Sequence, residues 1–345
     1  MKILVTGAAG FIGSRITHLL ALRGNDVMAV DNINDYYDIQ LKHGRLASMG
    51  FVNDDKEYQW HTEYHSSSLP NLHFIRLSLE DKESTDQLFT SGNFDMVVHL
   101  AAQAGVRYSV THPYAYLTSN LTAFLNILEA CRHHPVQHLL FASSSSIYGT
   151  NDKVPFSEDD KTDTPISLYA ATKKSNELMA HSYSKLYHIP ITGLRFFTVY
   201  GPWSRPDMAP MLFANAICEG KPINVFNNGN MIRDFTYIDD VANAAIRCLD
   251  RPPLPERSQG NIPFRVFNVG CASPINLMDF IHEIESALGK KAEMALKPMQ
   301  PGDLYQTYAD ISRLEKEIGF KPQTTLHEGI SKFIAWYLSY YKISV

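Results

Sequence analysis

Short apolar runs alternate with helical periodicity through the first two-thirds of the chain. "KILVT" (2–6), "DVMAVD" (26–31), "LHFIRL" (72–77), "DMVVHLAA" (95–102), "QHLLFA" (137–142) and "ITGLRFF" (191–197) read as strands. "FIGSRITHLLALRG" (11–24) reads as a helix closed by Gly24. "AYLTSNLTAFLNILEACRHH" and "SLYAATKKSNELMAHSYSKLY" read as two more helices. Strand and helix in alternation predict an α/β fold, a doubly wound parallel sheet. Ligands of such sheets sit beyond the carboxyl ends of the strands. After about residue 200 the rhythm changes, and "YGPWSRPDMAP" and "LDRPPLPERSQGNIPF" are rich in proline and polar residues. A larger domain over 1–198, with returning segments near 236–270, and a smaller, partly interleaved lobe over 199–345 are expected. The polar, unpatterned 50–71 stretch reads as a surface excursion between the second and third strands.

The first strand runs into "TGAAGFIG". Gly7, Gly10 and Gly13 stand three apart where the strand gives way to a helix. Such a turn lets backbone approach a pyrophosphate, and the helix N-terminus offers free N–H groups to it. Asp31 closes the next strand, where a carboxylate accepts hydrogen bonds from adenosine ribose hydroxyls and repels a 2′-phosphate. This favours NAD over NADP. The bland reading of the glycines is an ordinary strand–helix turn, and Asp31 speaks against it.

Tyr169 and Lys173 in "LYAATKK" lie four apart, on one face of their helix. A free phenol ionises near pH 10. The lysine cation and an oxidised nicotinamide would both favour the phenolate. Tyr169 could then take a hydroxyl proton as hydride leaves the same carbon. An amphipathic helix carrying a chance Tyr–Lys pair has the same spacing, so this motif decides nothing alone.

Composition narrows the class. Hydrophobic residues are 45% of the chain and charged residues 19%, enough for a substantial core. The net charge of −5 comes without a basic run, which gives no footing for nucleic acid. Cys131, Cys218, Cys248 and Cys271 are scattered, with neither a CxxC pair nor metal-ligand spacing. They read as reduced thiols of a cytosolic protein. The fourteen histidines show no ligand spacing, and no metal site is expected. No apolar run approaches the length of a membrane span, and the N-terminus does not have the build of a signal peptide.

Taken together, TGxxGxxG, the strand-end "SSSSIYG", "LYAATKK", "RFFTVYGPWSRPDM" and "RDFTYIDD" resemble the extended short-chain dehydrogenase/reductase family. Within it, with "DNINDYYD" and "VRYS", they are most similar to NAD-dependent nucleotide-sugar epimerases of the UDP-glucuronate 4-epimerase kind. The resemblance covers nearly the whole chain. It implies a Rossmann-type fold, bound NAD, a UDP-sugar substrate and a homodimer formed through helices at about 113–133 and 168–188. It implies Ser144, Tyr169 and Lys173 as the catalytic set. Beside the cofactor it places Phe11, Ile12, Asn32, Leu100, Ala101, Ala102 and Gln103, with the glycines, Asp31, Tyr169 and Lys173. Beside the substrate it places Arg107, Ser145, Ser146, Thr198, Arg205, Arg233 and Asp303. Two departures stand out: relatives often have Asp where this chain has Ser78, and Arg where it has Gln300.

The serines bear on the reaction. Oxidising C4 of a hexuronate gives a β-keto acid, which can lose carbon dioxide. Related dehydratases and uronate decarboxylases carry Asp or Glu in the segment that here reads Ser144, Ser145, Ser146. Without an acid there, hydride return to the opposite face of C4 is the simplest course. Ser145 and Ser146 can donate to the C6 carboxylate, whereas Ser143 is expected only to satisfy backbone groups at the turn. The competing readings are a UDP-glucose or UDP-N-acetylglucosamine 4-epimerase, a UDP-glucuronate decarboxylase, and a non-catalytic NAD-binding sensor.

Overall fold

The computed structural model describes residues 1–52, 57–257, 259–299 and 304–344. Seven strands precede residue 200: β1 (Lys2–Thr6), β2 (Asp26–Asp31), β3 (Glu63–His65), β4 (Leu72–Arg76), β5 (Met96–His99), β6 (His138–Ser144) and β7 (Ile191–Phe196). With the later strand Phe264–Val269 they form one sheet. Its order is Phe264–Val269, β7, β6, β5, β1, β2, β4, β3. β1 pairs in parallel with both β2 and β5, β2 with β4, and β5 with β6. The order reverses beside β1, so the crevice past its carboxyl end is the natural ligand position.

Helices cover the sheet: α1 (Phe11–Leu22), α2 (Ile39–Ser48), α3 (Lys82–Gly92), α4 (Tyr108–Thr111), α5 (Pro113–Tyr116), α6 (Ala123–His133) and α7 (Leu168–Tyr187). The central strands are apolar on both faces, as burial under two helical layers requires. One core layer joins Leu4, Val30, Val97, Leu139 and Ile191 of the strands to Phe89, Phe124, Ile127 and Leu128 of the helices. Each such side chain contributes about 1.5–3 kcal/mol by leaving water. The four cysteines are free thiols.

The chain divides into two compact units. The first, Met1–Asn151, Asp160–Arg195 and Ala242–Phe267, holds this sheet. The second, Asp152–Asp159, Phe196–Val241 and Asn268–Val345, contains short strand pairs and three longer helices, Ala209–Cys218, Leu277–Leu288 and Leu326–Tyr341. Buried Asp234 of "RDFTYIDD" organises this unit. Its carboxylate accepts from the backbone N–H groups of Cys271, Ala272 and Ala309 at 2.6–3.1 Å. Burial pushes its pKa up, against those hydrogen bonds.

Three local features differ from the sequence pattern. The stretch expected as one helix over 115–134 is interrupted by a π-helical segment, Leu117–Thr122. The excursion at 50–71 contains β3, antiparallel to β4 at the sheet edge. That pairing also brings Glu63, His65 and His73 together, which their spacing in the sequence does not announce.

Candidate active site

The chain of the first unit delivers the predicted chemistry to the carboxyl ends of four strands, β1, β2, β5 and β6. After β1 the chain turns at Gly7, whose φ is +72°. A Cβ there would sit 2.7 Å from the Ala101 backbone nitrogen, and one at Gly13 would sit 2.0 Å from the Gly7 carbonyl oxygen. Neither glycine can be replaced without moving the turn. Gly10 precedes α1 with no side-chain cap, so the N–H groups of its first turn, which begins with Phe11, Ile12 and Gly13, are left to a ligand. These are the features a pyrophosphate needs, and the turn fits a dinucleotide.

Asp31 closes β2 and is 7% exposed. One carboxylate oxygen accepts from the Ala9 N–H at 3.1 Å and the other from the Ile33 N–H at 2.8 Å. The carboxylate is thereby fixed against the glycine turn. Two buried cations that the motif did not announce stand around it. Lys42 Nζ lies 3.8 Å from Asp31 and donates to Asn34 at 2.7 Å. Arg45 donates to the Ala9 carbonyl at 3.0 Å and to the Tyr37 hydroxyl at 2.6 Å. Burial pulls the Lys42 pKa down, and the Asp31 charge opposes it. Asn32 follows Asp31 and accepts from the Asn34 N–H. Ser78 donates to Glu80 at 3.3 Å.

After β5 the chain runs through Leu100, Ala101, Ala102 and Gln103. The Ala101 N–H reaches the Thr6 hydroxyl. Gln103 is clasped by Asn120 of the π-helical segment: its N–H donates to Asn120 Oδ1 at 2.7 Å, and its carbonyl accepts from Asn120 Nδ2 at 3.1 Å. Asn120 Nδ2 also reaches the Thr172 hydroxyl at 3.0 Å, and the Asn120 carbonyl accepts from Asn176 at 2.7 Å. Thr172 and Asn176 belong to α7, so the irregular turn locks the β5 loop to the helix that carries Tyr169. A π segment at a site of this kind is a recurring arrangement. Its sequence signal was weak, since "YLTSNLTAFL" keeps helical periodicity throughout. Arg107 is exposed at the start of α4.

α7 begins at a Ser167 cap that accepts from the Ala170 N–H. Tyr169 is half-buried, its ring edge-on to Tyr116 at 6.1 Å. Lys173 is buried and donates to the Ala142 carbonyl at 2.9 Å, two residues before Ser144. Burial pushes its pKa down to about 8, which leaves it mostly a cation at neutral pH. Burial, then the Lys173 charge, holds His99 neutral with a pKa of about 3.

The four serines divide their work. Ser143 does not satisfy backbone, contrary to expectation. Its hydroxyl donates to Glu177 at 2.7 Å. Glu177, a further turn along α7 from Lys173, forms a bidentate ion pair with Arg195, both bonds 2.9 Å, and Arg195 also donates to the Tyr148 hydroxyl. All four residues are buried. The Tyr–Lys–Glu spacing of four and four could have revealed Glu177 as part of the same face. Ser144 Oγ caps the turn after β6 by accepting the Ser146 N–H at 3.2 Å. The Ser146 hydroxyl oxygen is buried with no hydrogen-bond partner among the described residues. A buried orphan of this kind asks for a ligand.

Thr198, Arg205 and Arg233 belong to the second unit. Thr198 opens the short strand Thr198–Tyr200, paired with Phe235–Tyr237. Arg205 pairs bidentately with Asp207 at 3.0 and 2.6 Å. Arg233 donates to the carbonyls of Leu304 and Tyr305 at 2.7 and 3.1 Å. Asp303 and Gln300 lie outside the described residues.

The model of the family described as "NAD dependent epimerase/dehydratase family" matches residues 3–270. The chain belongs to this family. Among its relatives, Protein CapI of Staphylococcus aureus is 48% identical over 99% of this chain and 100% of its own length. UDP-glucuronate 4-epimerase 4 of Arabidopsis thaliana is 44% identical over 99% of this chain and 76% of its own. A crystal structure of UDP-glucuronic acid 4-epimerase from Bacillus cereus in complex with UDP-glucuronic acid and NAD superposes with a TM-score of 0.85. It is 34% identical, with 99% of this chain and 100% of that one covered. No helix among the described residues is long and apolar enough to cross a membrane.

Proposed function

We propose that this epimerase-family member is an isomerase that interconverts UDP-glucuronate and UDP-galacturonate at C4 through a transient 4-keto sugar. The observation that carries the reading is the serine turn beside α7. It sets Ser144 at the end of β6 and an orphaned Ser146 hydroxyl just beyond it, close to the β6 carbonyl that anchors Lys173, and it contains no carboxylic acid. The likeness to an enzyme crystallised with UDP-glucuronic acid supports the same substrate.

The glycine turn, Asp31, Asn32 and the Leu100–Gln103 loop would hold NAD, with Lys173 at its nicotinamide ribose. When bound, NAD supplies the hydride acceptor and donor for C4. Tyr169, as phenolate, takes the C4 hydroxyl proton while the C4–H bond gives up its electron pair. The Lys173 cation favours that phenolate. Ser144, its oxygen lone pair engaged by the Ser146 N–H, has its own proton to offer to the sugar oxygen. Tyr169 later returns the proton to the keto oxygen, after the sugar has presented its other face. Ser145 and Ser146 donate to the C6 carboxylate, and Arg107, Thr198, Arg205, Arg233 and Asp303 hold the UDP-sugar. For the two arginines this means exchanging Asp207 and backbone partners for phosphate.

The test is an incubation with UDP-glucuronate and no added NAD, followed by anion-exchange chromatography and proton NMR. UDP-galacturonate should appear at constant total uronate, and Tyr169→Phe should slow it roughly 10²–10⁴-fold, the range for a general acid–base group. A UDP-pentose product would point to decarboxylation instead. A silent protein that turns over UDP-glucose would overturn the substrate.

The protein is also proposed to work in the cytosol as a homodimer. Leu117 and Leu125 on one packed stretch, and Leu178, Leu186 and Tyr187 on α7, are 38–63% exposed. An apolar face of this kind suits helix-to-helix pairing. Sedimentation equilibrium should return twice the mass of the chain, and a monomer mass at micromolar concentration would refute the pairing.

A further inference from the structure

The edge of the sheet opposite Phe264–Val269 carries a cluster that the proposed reaction does not use. β3 and β4 run antiparallel with Glu63 opposite Ile75, Tyr64 opposite Phe74 and His65 opposite His73. Side chains alternate between the faces of a strand. Phe74 is fully buried on one face. Glu63, His65 and His73 therefore share the other. Their side chains converge: His73 Nδ1 lies 3.0 Å from His65 Nδ1 and 3.0 Å from Glu63 Oε1. One donor atom from each of the three lies within 4.8 Å of the others. Two donors held at zinc-ligand distances around a tetrahedral ion are about 3.3 Å apart, close to this spacing.

A second observation comes from the next strand. β2 pairs in parallel with β4, Met28 opposite His73, which puts Asp26 on the same face two residues earlier. Asp26 Oδ1 is itself buried and has no hydrogen-bond partner among the described residues. It stands 3.5 Å from His73 Nε2. An imidazole that binds a metal through Nδ1 must carry its proton on Nε2, and metal-bound histidines pass that N–H to a carboxylate or carbonyl. Asp26 stands where that carboxylate would be.

The geometry points to a divalent-metal site on the sheet edge, with His65 Nδ1, His73 Nδ1 and Glu63 Oε1 as ligands and Asp26 orienting His73. Two imidazoles and one carboxylate form a borderline nitrogen–oxygen set, which suits a zinc-class ion over calcium or magnesium. Three protein ligands leave a fourth tetrahedral position to water. The ion joins a three-residue edge strand to its neighbour. It has no part in proton transfer by Tyr169, so its presence or absence is independent of the epimerase reading.

The test uses tag-free full-length protein stripped with chelator. Cobalt(II) chloride is titrated with visible absorption as the readout, and zinc chloride by calorimetry, with thermal unfolding followed in both states. The expected result is one ion per chain, a cobalt band of tetrahedral intensity, and a higher Tm in excess zinc. His65→Ala/His73→Ala should weaken binding roughly 100-fold or more and abolish the zinc-dependent rise in Tm. The His65 side chain is 69% exposed, so His65→Ala alone should weaken binding while its metal-free Tm stays near the parent's. Asp26→Asn should weaken binding roughly 10–100-fold with the ligands intact. Absence of a cobalt band, or zinc binding unchanged in the double histidine variant, would overturn the site. Unchanged affinity in Asp26→Asn would overturn the assignment of Asp26.

Discussion

Ser143, Ser144, Ser145 and Ser146 are one residue type in four consecutive places, yet they meet different surroundings. Ser143 faces α7 and gives its proton to Glu177, and Ser144 spends an acceptor on the turn. The Ser146 oxygen is buried and waiting. The run of serines was legible as unusual, and the absence of an acid was legible as chemistry. The inward turn of Ser143 was not, because its partner comes from a helix more than thirty residues away. The proposed duty of Ser145 and Ser146 is to hold the C5–C6 bond of the keto acid out of the orientation that expels carbon dioxide. Ser145→Ala/Ser146→Ala should therefore release a UDP-pentose from UDP-glucuronate, or lose its preference for uronates over UDP-glucose. Product analysis by NMR checks both, and a variant that does neither removes the role.

At the scale of the element, α7 carries a column of three side chains one turn apart. Tyr169 is in the first turn, Lys173 grips the strand carbonyl, and Glu177 grips the strand's serine and Arg195. The column ties β6, β7 and the turn after β6 to one helix. Pairs of this kind fix geometry more than they add stability, because both ions were desolvated to make them. Removing one partner is a different matter. Glu177→Gln leaves the Arg195 guanidinium buried without its counter-charge, and should cost about 3–5 kcal/mol of unfolding free energy. Urea titration measures it. Glu177→Gln/Arg195→Met should be milder than Glu177→Gln alone, since it removes the stranded charge. Equal or additive losses would mean that the pair is not the unit. The spacing that places Glu177 was readable. The π-helical segment was not, because Asn120 turns inward to serve Gln103 and Thr172, contacts that a periodicity cannot display. The edge strand β3 escaped notice for a similar reason: "EYH" is too short and polar to signal a strand without its partner.

On the scale of the whole molecule, the parallel sheet was legible because its strands are buried on both faces and read as continuous apolar runs. The glycine turn, Asp31 and the Ser144 turn then follow from topology, since each lies at a carboxyl strand end. What pattern alone could not expose are the polar residues buried within that sheet. His99 and His138 are both buried and neutral. His99 meets the Thr6 hydroxyl, and His138 bridges the Leu249 carbonyl and the Thr192 hydroxyl. Burial lowers their pKa values to about 3 and about 4, from 6.5. Both folded values lie below the unfolded one. As pH falls through 6.5 the unfolded chain takes up protons that the fold refuses. The stability they contribute is intact above pH 6.5 and is lost progressively as pH falls to about 4 for His138 and about 3 for His99. At pH 5 each group costs about 2 kcal/mol, at about 1.4 kcal/mol per pKa unit. Urea titrations at pH 7 and pH 5 should therefore differ by about 4 kcal/mol from these two groups, beyond any carboxylate contribution. His138→Gln should be less stable at pH 7 through lost packing, but its drop between the two pH values should be smaller by about 2 kcal/mol. A variant that falls as far as the parent would show that His138 stays out of the acid transition.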